Sequence, residues 1–137
     1  MSSKLKQTKQ RAGILNVMRY MASRHYHPTV QEVYEELIKK GVSVWLATVY
    51  RNLEKFNEVG LVQKIDVPGH SARFDGTVTP HPHIKCMVCG RVDDLPLDAM
   101  VEVKMKCEKP AGYTVINVQA EVMGICEACQ KSGKNEK

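Results

Sequence analysis

The sequence predicts an α+β protein with a helical N-terminal part and a small α/β C-terminal part. Three observations predict this class. Apolar residues recur at helical spacing up to residue 60, a short hairpin pattern follows, and two CxxC pairs lie beyond it. Because 137 residues suit one domain or two small ones, we expect two domains, at 1–76 and 77–137.

The composition excludes several classes of protein. Hydrophobic residues make up 43% of the chain and the formal net charge is +5, as in a folded, soluble protein. No run of 18 apolar residues is present, which excludes a transmembrane helix. The first residues lack the apolar segment of a secretory signal. We therefore expect a cytoplasmic protein without membrane contact, in which paired cysteines hold metal more often than they form disulfides.

Three amphipathic helices are predicted in the first 60 residues. The first carries apolar residues at helical spacing, namely Ile14, Val17, Met18 and Met21. The second begins after Thr29, a residue suited to the N-cap, and ends at Gly41. The third runs from about Ser43 to Gly60 and turns four apolar side chains inward, those of Leu46, Val49, Leu53 and Phe56.

A two-stranded hairpin is predicted after the third helix. Residues 61–65 and 72–74 form the strands, and Pro68-Gly69 lies in the turn. Three helices followed by a hairpin is the order of a winged helix, in which the third helix enters the major groove of DNA. The N-terminal domain is therefore expected to bind double-stranded DNA.

The charge distribution and the third helix favour the same function. Residues 1–75 hold 12 Lys and Arg against seven Asp and Glu, whereas residues 76–137 hold eight of each sign. On the outer face of the third helix, Arg51 suits guanine, Asn52 suits adenine, and the methyl group of Thr48 suits thymine. Four other basic residues would neutralise phosphates: Lys6, Lys9, Arg11 and Lys55. The alternative interpretation is an ordinary solvated helix face.

Two CxxC pairs predict a structural zinc site. The two intervening residues of each pair allow both thiolates to bind one ion, and four thiolates complete the tetrahedron that Zn²⁺ prefers. With every position filled by protein the ion cannot activate water, so a catalytic role is not expected. The alternatives are a redox disulfide pair or unrelated buried thiols. The predicted ligands are Cys86, Cys89, Cys126 and Cys129.

A strand, a helix and a long strand are predicted around and between the two cysteine pairs. The first strand covers residues 91–95, the helix begins near Leu97, and residues 113–125 alternate as a strand. The helix carries Cys107 on an apolar stripe, so we expect this fifth cysteine in the core. A unit of this size needs further stabilisation, which zinc and a dimer interface would supply.

Histidines and acids cluster near the expected domain boundary. His81 and His83 lie two residues apart on an extended segment, so their imidazoles point to the same side. Asp75 ends the hairpin, Asp93 follows the first CxxC pair, and His27 precedes the second helix. From spacing alone, these histidines and aspartates could form a second metal site or could have a purely structural role.

The order of these motifs resembles that of the ferric uptake regulator family of bacterial metal-dependent repressors. The matching segments are His27-Pro28-Thr29, ATVYRNL at 47–53, Arg73-Phe74-Asp75, HPHIKCMVCG at 81–90, and the Cys126/Cys129 pair. They are unrelated to one another, and together they cover nearly the whole chain in the right order.

The resemblance implies a homodimer with N-terminal winged helices, a C-terminal dimerisation domain and a regulatory metal ion. The ligands of that ion would be His27, Asp75, His81, His83 and Asp93. Three imidazoles and two carboxylates suit Fe²⁺ or Mn²⁺, whereas the thiolate set suits zinc. The resemblance also implies that Tyr50 contacts bases beside Arg51 and that Lys6 enters the minor groove.

Within the family the acidic ligands indicate the branch. Members that sense iron typically carry Glu, whereas members similar to the peroxide-stress repressor carry Asp at both positions, as at Asp75 and Asp93. The resemblance thus implies a transcriptional repressor, not an enzyme, that senses hydrogen peroxide by metal-catalysed oxidation of His27 or His81. One alternative is an iron- or zinc-uptake repressor that responds to metal level. A zinc hydrolase is disfavoured, because no glutamate general base lies between Asp75 and Cys89.

Overall fold

A computed structural model describes residues 8–79, 81–118 and 121–133. The chain forms two compact units, Met1–Thr79 and Pro80–Lys137. Helices and a hairpin make up the first unit, and a three-stranded sheet with short helices makes up the second. The predicted α+β class is confirmed. No helix among the described residues is both long and apolar enough to span a bilayer.

Three helices pack around one core in the first unit. Helix α1 spans Lys9–Ser23, α2 spans Val30–Lys39 and α3 spans Leu46–Glu58. Each buries its apolar stripe, as predicted from helical spacing. The fully buried side chains of this core include Ile14, Val17, Met18, Val33, Leu37, Val49, Leu53, Phe56 and Phe74. Leu46, which was expected to face inward, is instead exposed because it lies at the start of α3, one turn before the core.

A capping box fixes the start of α2. The Thr29 hydroxyl accepts a hydrogen bond from the backbone N–H of Glu32, and the Glu32 carboxylate accepts one from the backbone N–H of Thr29. The predicted N-cap is therefore confirmed. At the other end the chain turns at Gly41, whose φ of 79° is the left-handed conformation that glycine adopts without strain.

The hairpin predicted after α3 is present. Strand β1 (Gln63–Ile65) pairs antiparallel with β2 (Arg73–Asp75). On its other side β2 is attached to the segment before α2, because the backbone N–H of Phe74 donates to the Pro28 carbonyl at 2.8 Å. This second attachment holds the end of β2 beside the residues that lead into α2.

Strand β3 (His83–Cys86) is the centre of the sheet in the second unit. It pairs antiparallel with β4 (Val92–Asp94) and parallel with β5 (Val122–Gly124). The prediction of one long strand over residues 113–125 is wrong, since residues 113–118 are not in a strand. A segment forms a strand only where a neighbour accepts its backbone hydrogen bonds, and among the described residues of this segment only Val122–Gly124 pairs with β3.

The helices of the second unit are short. Helix α4 spans Val101–Ala111 directly after a 3-10 helix at Leu97–Met100, and α5 spans Glu127–Lys131. The prediction that Cys107 lies in the core is wrong, because Cys107 is exposed. Leu97, from the same stripe, is 71% exposed. Within the described part of this unit, nothing covers that side of α4.

Candidate metal centres

Four cysteine thiols converge at one end of the sheet in the second unit. The Sγ atoms of Cys86 and Cys129 are 3.9 Å apart, and those of Cys89 and Cys126 are 3.8 Å apart. All four lie within 4.8 Å of one another. With Zn–S bonds of about 2.3 Å, sulfurs at the corners of a tetrahedron lie about 3.8 Å apart. Donor type and spacing therefore both fit Zn²⁺.

The strand order brings these cysteines together. Cys86 ends β3 opposite Gly124 of the parallel strand β5, so the residues that follow both strands emerge at the same edge. After Cys86 the chain turns through Gly90, whose φ is 81°. Cys126 is the N-cap of α5, and Cys129 lies one turn later in that helix. Among the described residues no cysteine forms a disulfide.

Backbone N–H groups stabilise one thiolate of the cluster. Burial raises the pKa of the Cys86 thiol, but hydrogen bonds from the backbone of Cys126, Cys89 and Val88 lower it by more, so that the pKa falls to about 6. Burial and hydrogen bonds with the other three cysteines raise the pKa of Cys129 to about 12. Crowded thiols resist ionisation together, and a divalent cation relieves that repulsion.

A second set of donors lies on one face of the same sheet. The Nε2 atom of His81 is 2.8 Å from Oδ1 of Asp94, and Nε2 of His83 is 3.4 Å from the same oxygen. The two imidazole rings are 4.4 Å apart between centroids, on the same side of the extended segment as predicted from alternation. Both histidine side chains are only 9% exposed.

The acidic member of this set is Asp94, and the expectation of Asp93 is wrong. In the antiparallel pair of β3 and β4, His83 is opposite Asp94, and Ile84 is opposite Asp93. Directly opposite residues point to the same face of a sheet. Asp93 therefore lies on the other face, where its carboxylate pairs with the guanidinium of Arg91 at 2.8 Å.

The first unit holds a separate buried pair of donors. The Nε2 atom of His27 lies 3.2 Å from Oδ2 of Asp75, and both residues are 2% exposed. An Asx-type contact orients the carboxylate, since Oδ1 of Asp75 accepts from the backbone N–H of Thr77 at 2.8 Å. Adjacent ligands at about 2.1 Å from an octahedral ion lie about 3 Å apart, so these two atoms are spaced as neighbouring ligands.

A hydrogen-bond network fixes His27 against β2. The Arg73 guanidinium donates to the His27 carbonyl at 2.8 Å and to Glu32 at 3.4 Å. The Tyr26 hydroxyl donates to Glu32 at 2.8 Å, and burial raises the pKa of this phenol. Arg73 and Asp75 lie on the same strand, β2. The hydrogen bond from Arg73 to the His27 carbonyl therefore holds His27 beside the strand that carries Asp75.

The predicted DNA-contacting residues of α3 lie at different degrees of exposure. Arg51 and Tyr50 are exposed, whereas Thr48 and Asn52 are half-buried. Asn52 is engaged within the unit: its Oδ1 accepts from Nε of Arg11 at 2.9 Å, and its Nδ2 donates to the Thr48 carbonyl at 2.9 Å. Asn52 and Arg11 thus connect α1 to α3. Lys6 lies outside the described residues.

Comparison with known proteins now identifies the family. The chain matches the ferric uptake regulator family over residues 2–123. This protein belongs to the ferric uptake regulator family. The assignment agrees with the observed order of elements: three helices, a hairpin, and a small α/β unit that contains the cluster of four cysteines.

Individual relatives in the ferric uptake regulator family include both iron and peroxide regulators. The chain is 34% identical over 117 residues to the peroxide-responsive repressor PerR of Staphylococcus epidermidis, which covers 85% of this chain and 78% of that protein. Among solved structures, the Campylobacter jejuni peroxide stress regulator is 32% identical, with a TM-score of 0.65 and coverage of 88% of each chain. The ferric uptake regulator of Vibrio cholerae is 29% identical, with a TM-score of 0.71 and coverage of 89% of this chain and 92% of that one.

For this family member, sequence reasoning selected the wrong one of two adjacent aspartates. The distance in sequence from His83 does not separate Asp93 from Asp94, because the register of β4 against β3 decides which carboxylate shares a face with His83. One signal in the sequence favoured Asp94: Asp93 lies two residues after Arg91, at the spacing that puts two strand residues on one face. Asp94 takes the place of Asp93 in the donor set, and both are aspartates. The argument that aspartate rather than glutamate ligands indicate the branch of the family is therefore unchanged.

Proposed function

We propose that this protein is a metal-dependent, DNA-binding transcriptional repressor that senses hydrogen peroxide. The observation that carries the proposal is the division of the donors: His27 and Asp75 in the first unit, and His81, His83 and Asp94 in the second. Two or three donors leave the coordination of an Fe²⁺ or Mn²⁺ ion half filled, whereas five nearly complete it. We infer that one ion is held by both sets.

An ion shared in this way links metal binding to DNA binding. It stabilises one arrangement of the two units, and it shifts the population only by its differential affinity for that arrangement. A difference of about 3 kcal/mol changes DNA affinity by roughly two orders of magnitude. The apo protein would then release its operator, and the metal-bound protein would hold it.

The DNA-binding surface is the winged helix of the first unit. We assign direct contacts to Thr48, Tyr50 and Arg51 of α3 and to the flanking Lys6. Arg11 and Asn52 belong to the predicted set as well, but their mutual hydrogen bond gives them a role in joining α1 to α3. The excess of basic residues in residues 1–75 supports binding to a polyanion.

The second unit serves as the dimerisation domain, stabilised by zinc. Support comes from its exposed apolar side chains, of which Ile116 is 95% exposed and Leu97 71%. Large apolar groups left open by one chain are typical of an interface between copies. Light scattering of the zinc-loaded protein tests this role, and a monomer at micromolar concentration would contradict it.

Peroxide sensing is supported by the acidic ligands and by the relatives. Both carboxylates are aspartates, and the relatives from S. epidermidis and C. jejuni are named for peroxide response. Bound Fe²⁺ would promote a reaction in which one oxygen atom of hydrogen peroxide is inserted into a carbon–hydrogen bond of an imidazole ring and the other leaves as water, so that the ring supplies the two electrons and the ion is not consumed. The imidazoles of His27 and His81 are the groups proposed to gain oxygen, and each pairs with a carboxylate in its own unit. An oxidised ring is a poorer ligand, so the ion is lost and repression ends.

Peptide mass spectrometry after stoichiometric peroxide treatment tests this mechanism. We expect the Fe²⁺-loaded protein to gain one oxygen atom on the peptide with His27 or on the peptide with His81, and to lose DNA affinity in parallel. The Mn²⁺-loaded protein is the matched control and should remain unmodified. If DNA binding follows metal occupancy and ignores peroxide, the protein is instead an uptake repressor that responds to metal level.

A further inference from the structure

Of the exposed aromatic side chains in the first unit that the proposed DNA contacts do not include, Trp45 is the most exposed among the described residues. Trp45 is the only tryptophan of the chain, and it is 79% exposed. It occupies the N-cap position of α3, where its carbonyl accepts the first hydrogen bonds of the helix but its side chain makes no capping bond. The indole therefore contributes nothing to the core and nothing to the helix end.

The backbone before Trp45 is attached to the core of the unit, and the backbone after it continues directly into α3. Val44, immediately before Trp45, is buried in the core of the unit. The preceding residue, Ser43, is tied to α1, because the side-chain amide of Gln10 donates to the Ser43 carbonyl at 3.2 Å. A rigid backbone that presents an exposed indole loses little entropy when that indole is buried against a ligand.

By helical spacing, Trp45 lies on the side of α3 that carries two of the three proposed base contacts, Thr48 and Arg51. Thr48 follows Trp45 at a spacing of three residues, and Arg51 follows Thr48 at the same spacing, so each borders the next along the helix surface. The Arg51 guanidinium is 3.4 Å from the Thr48 hydroxyl. Tyr50 lies on the other side of α3, in a groove that it shares with Ala72 and Phe74 of the hairpin.

We propose that Trp45 is a specificity-determining residue that packs against the C5 methyl group of a thymine in the major groove. The inference rests on the proposed function as a DNA-binding repressor. The thymine methyl is the apolar group that base pairs present in the major groove, and an exposed indole next to a threonine and an arginine suits it. Trp45 thereby adds one base position to those contacted by Thr48 and Arg51.

Uracil substitution tests this contact at the level of one methyl group. The Mn²⁺-loaded protein first selects a duplex from a random library, and each thymine of that duplex is then replaced in turn by deoxyuridine. Affinity is measured by fluorescence anisotropy of the labelled duplex. The loss of one buried methyl group is expected to weaken binding roughly fourfold at the position that Trp45 contacts.

The variant Trp45→Ala should bind the unmodified duplex more weakly and should ignore deoxyuridine at that same position. Trp45→Phe should keep part of the effect, since the aromatic ring is retained. Leu46→Ala is the matched control, because Leu46 is the adjacent exposed apolar residue and lies on the Tyr50 side of α3. It should leave the deoxyuridine pattern as in the unmodified protein. Circular dichroism verifies that each variant is folded.

The emission of Trp45 gives a second readout without mutation, because it is the only indole in the chain. Saturation with the selected duplex should quench or shift this emission. The inference is overturned if the emission is unchanged, or if Trp45→Ala has the same deoxyuridine pattern as the unmodified protein. An altered oligomeric state of Trp45→Ala would assign the indole to contact between copies and would overturn it too. If the metal-loaded protein selects no duplex at all, it is the proposed function that fails.

Discussion

Nε2 of His81 lies 2.8 Å from Oδ1 of Asp94, whereas the neighbouring Asp93 points to the opposite face of β4. Asp93 and Asp94 have identical side chains and are adjacent in sequence, but only Asp94 lies beside the histidines. Replacing each in turn gives a matched pair of variants for the proposed regulatory site.

Asp94→Asn should weaken binding of Mn²⁺, because it removes the carboxylate shared by His81 and His83. The affinity is expected to fall at least roughly 10- to 100-fold, the cost measured for supporting residues of other metal sites. Asp93→Asn should leave the affinity for Mn²⁺ nearly unchanged, since this substitution breaks only a partly exposed ion pair with Arg91. Isothermal titration of zinc-loaded protein with Mn²⁺ measures both. Equal losses in the two variants would contradict the assignment of Asp94.

Cys86→Ser or Cys126→Ser should abolish zinc binding and unfold the second unit. Zinc binding at a site of this kind is coupled to folding, and Cys86 is the last residue of β3 while Cys126 lies two residues after β5. Zinc analysis and circular dichroism report the two effects. Cys107→Ser is the control, because this exposed thiol lies on α4 outside the cluster. A folded second unit without zinc would argue against a structural role for the metal.

Asn52→Ala should act on stability, and Arg51→Ala on base preference. Asn52 links α1 and α3 through hydrogen bonds to Arg11 and to the Thr48 carbonyl, so its loss should cost about 1 to 3 kcal/mol of unfolding free energy. Arg51 is exposed and should be replaced with little change in stability. Urea unfolding and selection from a random duplex library separate the two effects. A destabilised Arg51→Ala variant with unaltered base preference would reverse these roles.

Gly76→Ala should destabilise the first unit. A Cβ atom at Gly76 would lie 2.8 Å from the Met18 carbonyl oxygen, so the loop after Asp75 must move away from α1. Overpacking of this kind costs about 1 to 3 kcal/mol. We expect the same displacement to weaken Mn²⁺ binding, because Gly76 adjoins Asp75.

Gly13→Ala provides the opposite expectation within the same unit. Its Cβ would be 3.5 Å from Leu37, an ordinary van der Waals contact, and Gly13 lies inside α1. Alanine in place of a helical glycine stabilises by about 0.5 to 1 kcal/mol. Thermal unfolding followed by circular dichroism compares the two variants. Similar melting temperatures for both would show that the loop after Asp75 is not packed tightly against α1.

The helices and the cysteine cluster were predictable because each rests on local information. Helical spacing located the buried stripes of α1 to α3, and Thr29 was identified from its residue type as the N-cap of α2. The CxxC pairs predicted which four cysteines come together, without any knowledge of strand order. The side chain of Asp94 could not be chosen in the same way, since strand register is a tertiary property.

Other errors came from partners that local patterns do not reveal. Alternation over residues 113–125 suggested a strand, but a strand needs a paired neighbour, and β3 pairs with three of the described residues of this segment. The stripe with Cys107 suggested a core, but a helix buries its stripe only where another surface covers it. Asn52, predicted from its chemistry to contact adenine, also joins α1 to α3 through its amide, a role that the local sequence does not reveal.

The parallel pairing of β3 with β5 has a consequence for synthesis of the protein. Cys86 and Cys129 are 43 residues apart in the chain, so a ribosome needs roughly 2 to 9 seconds to travel from one to the other. The first unit, which ends at Thr79, can fold during that time, while the earlier thiols await the later pair. A zinc ion bound by all four thiols could be captured only after residue 129 has been made, and until then the Cys86 and Cys89 thiols lack the two partners that complete the cluster.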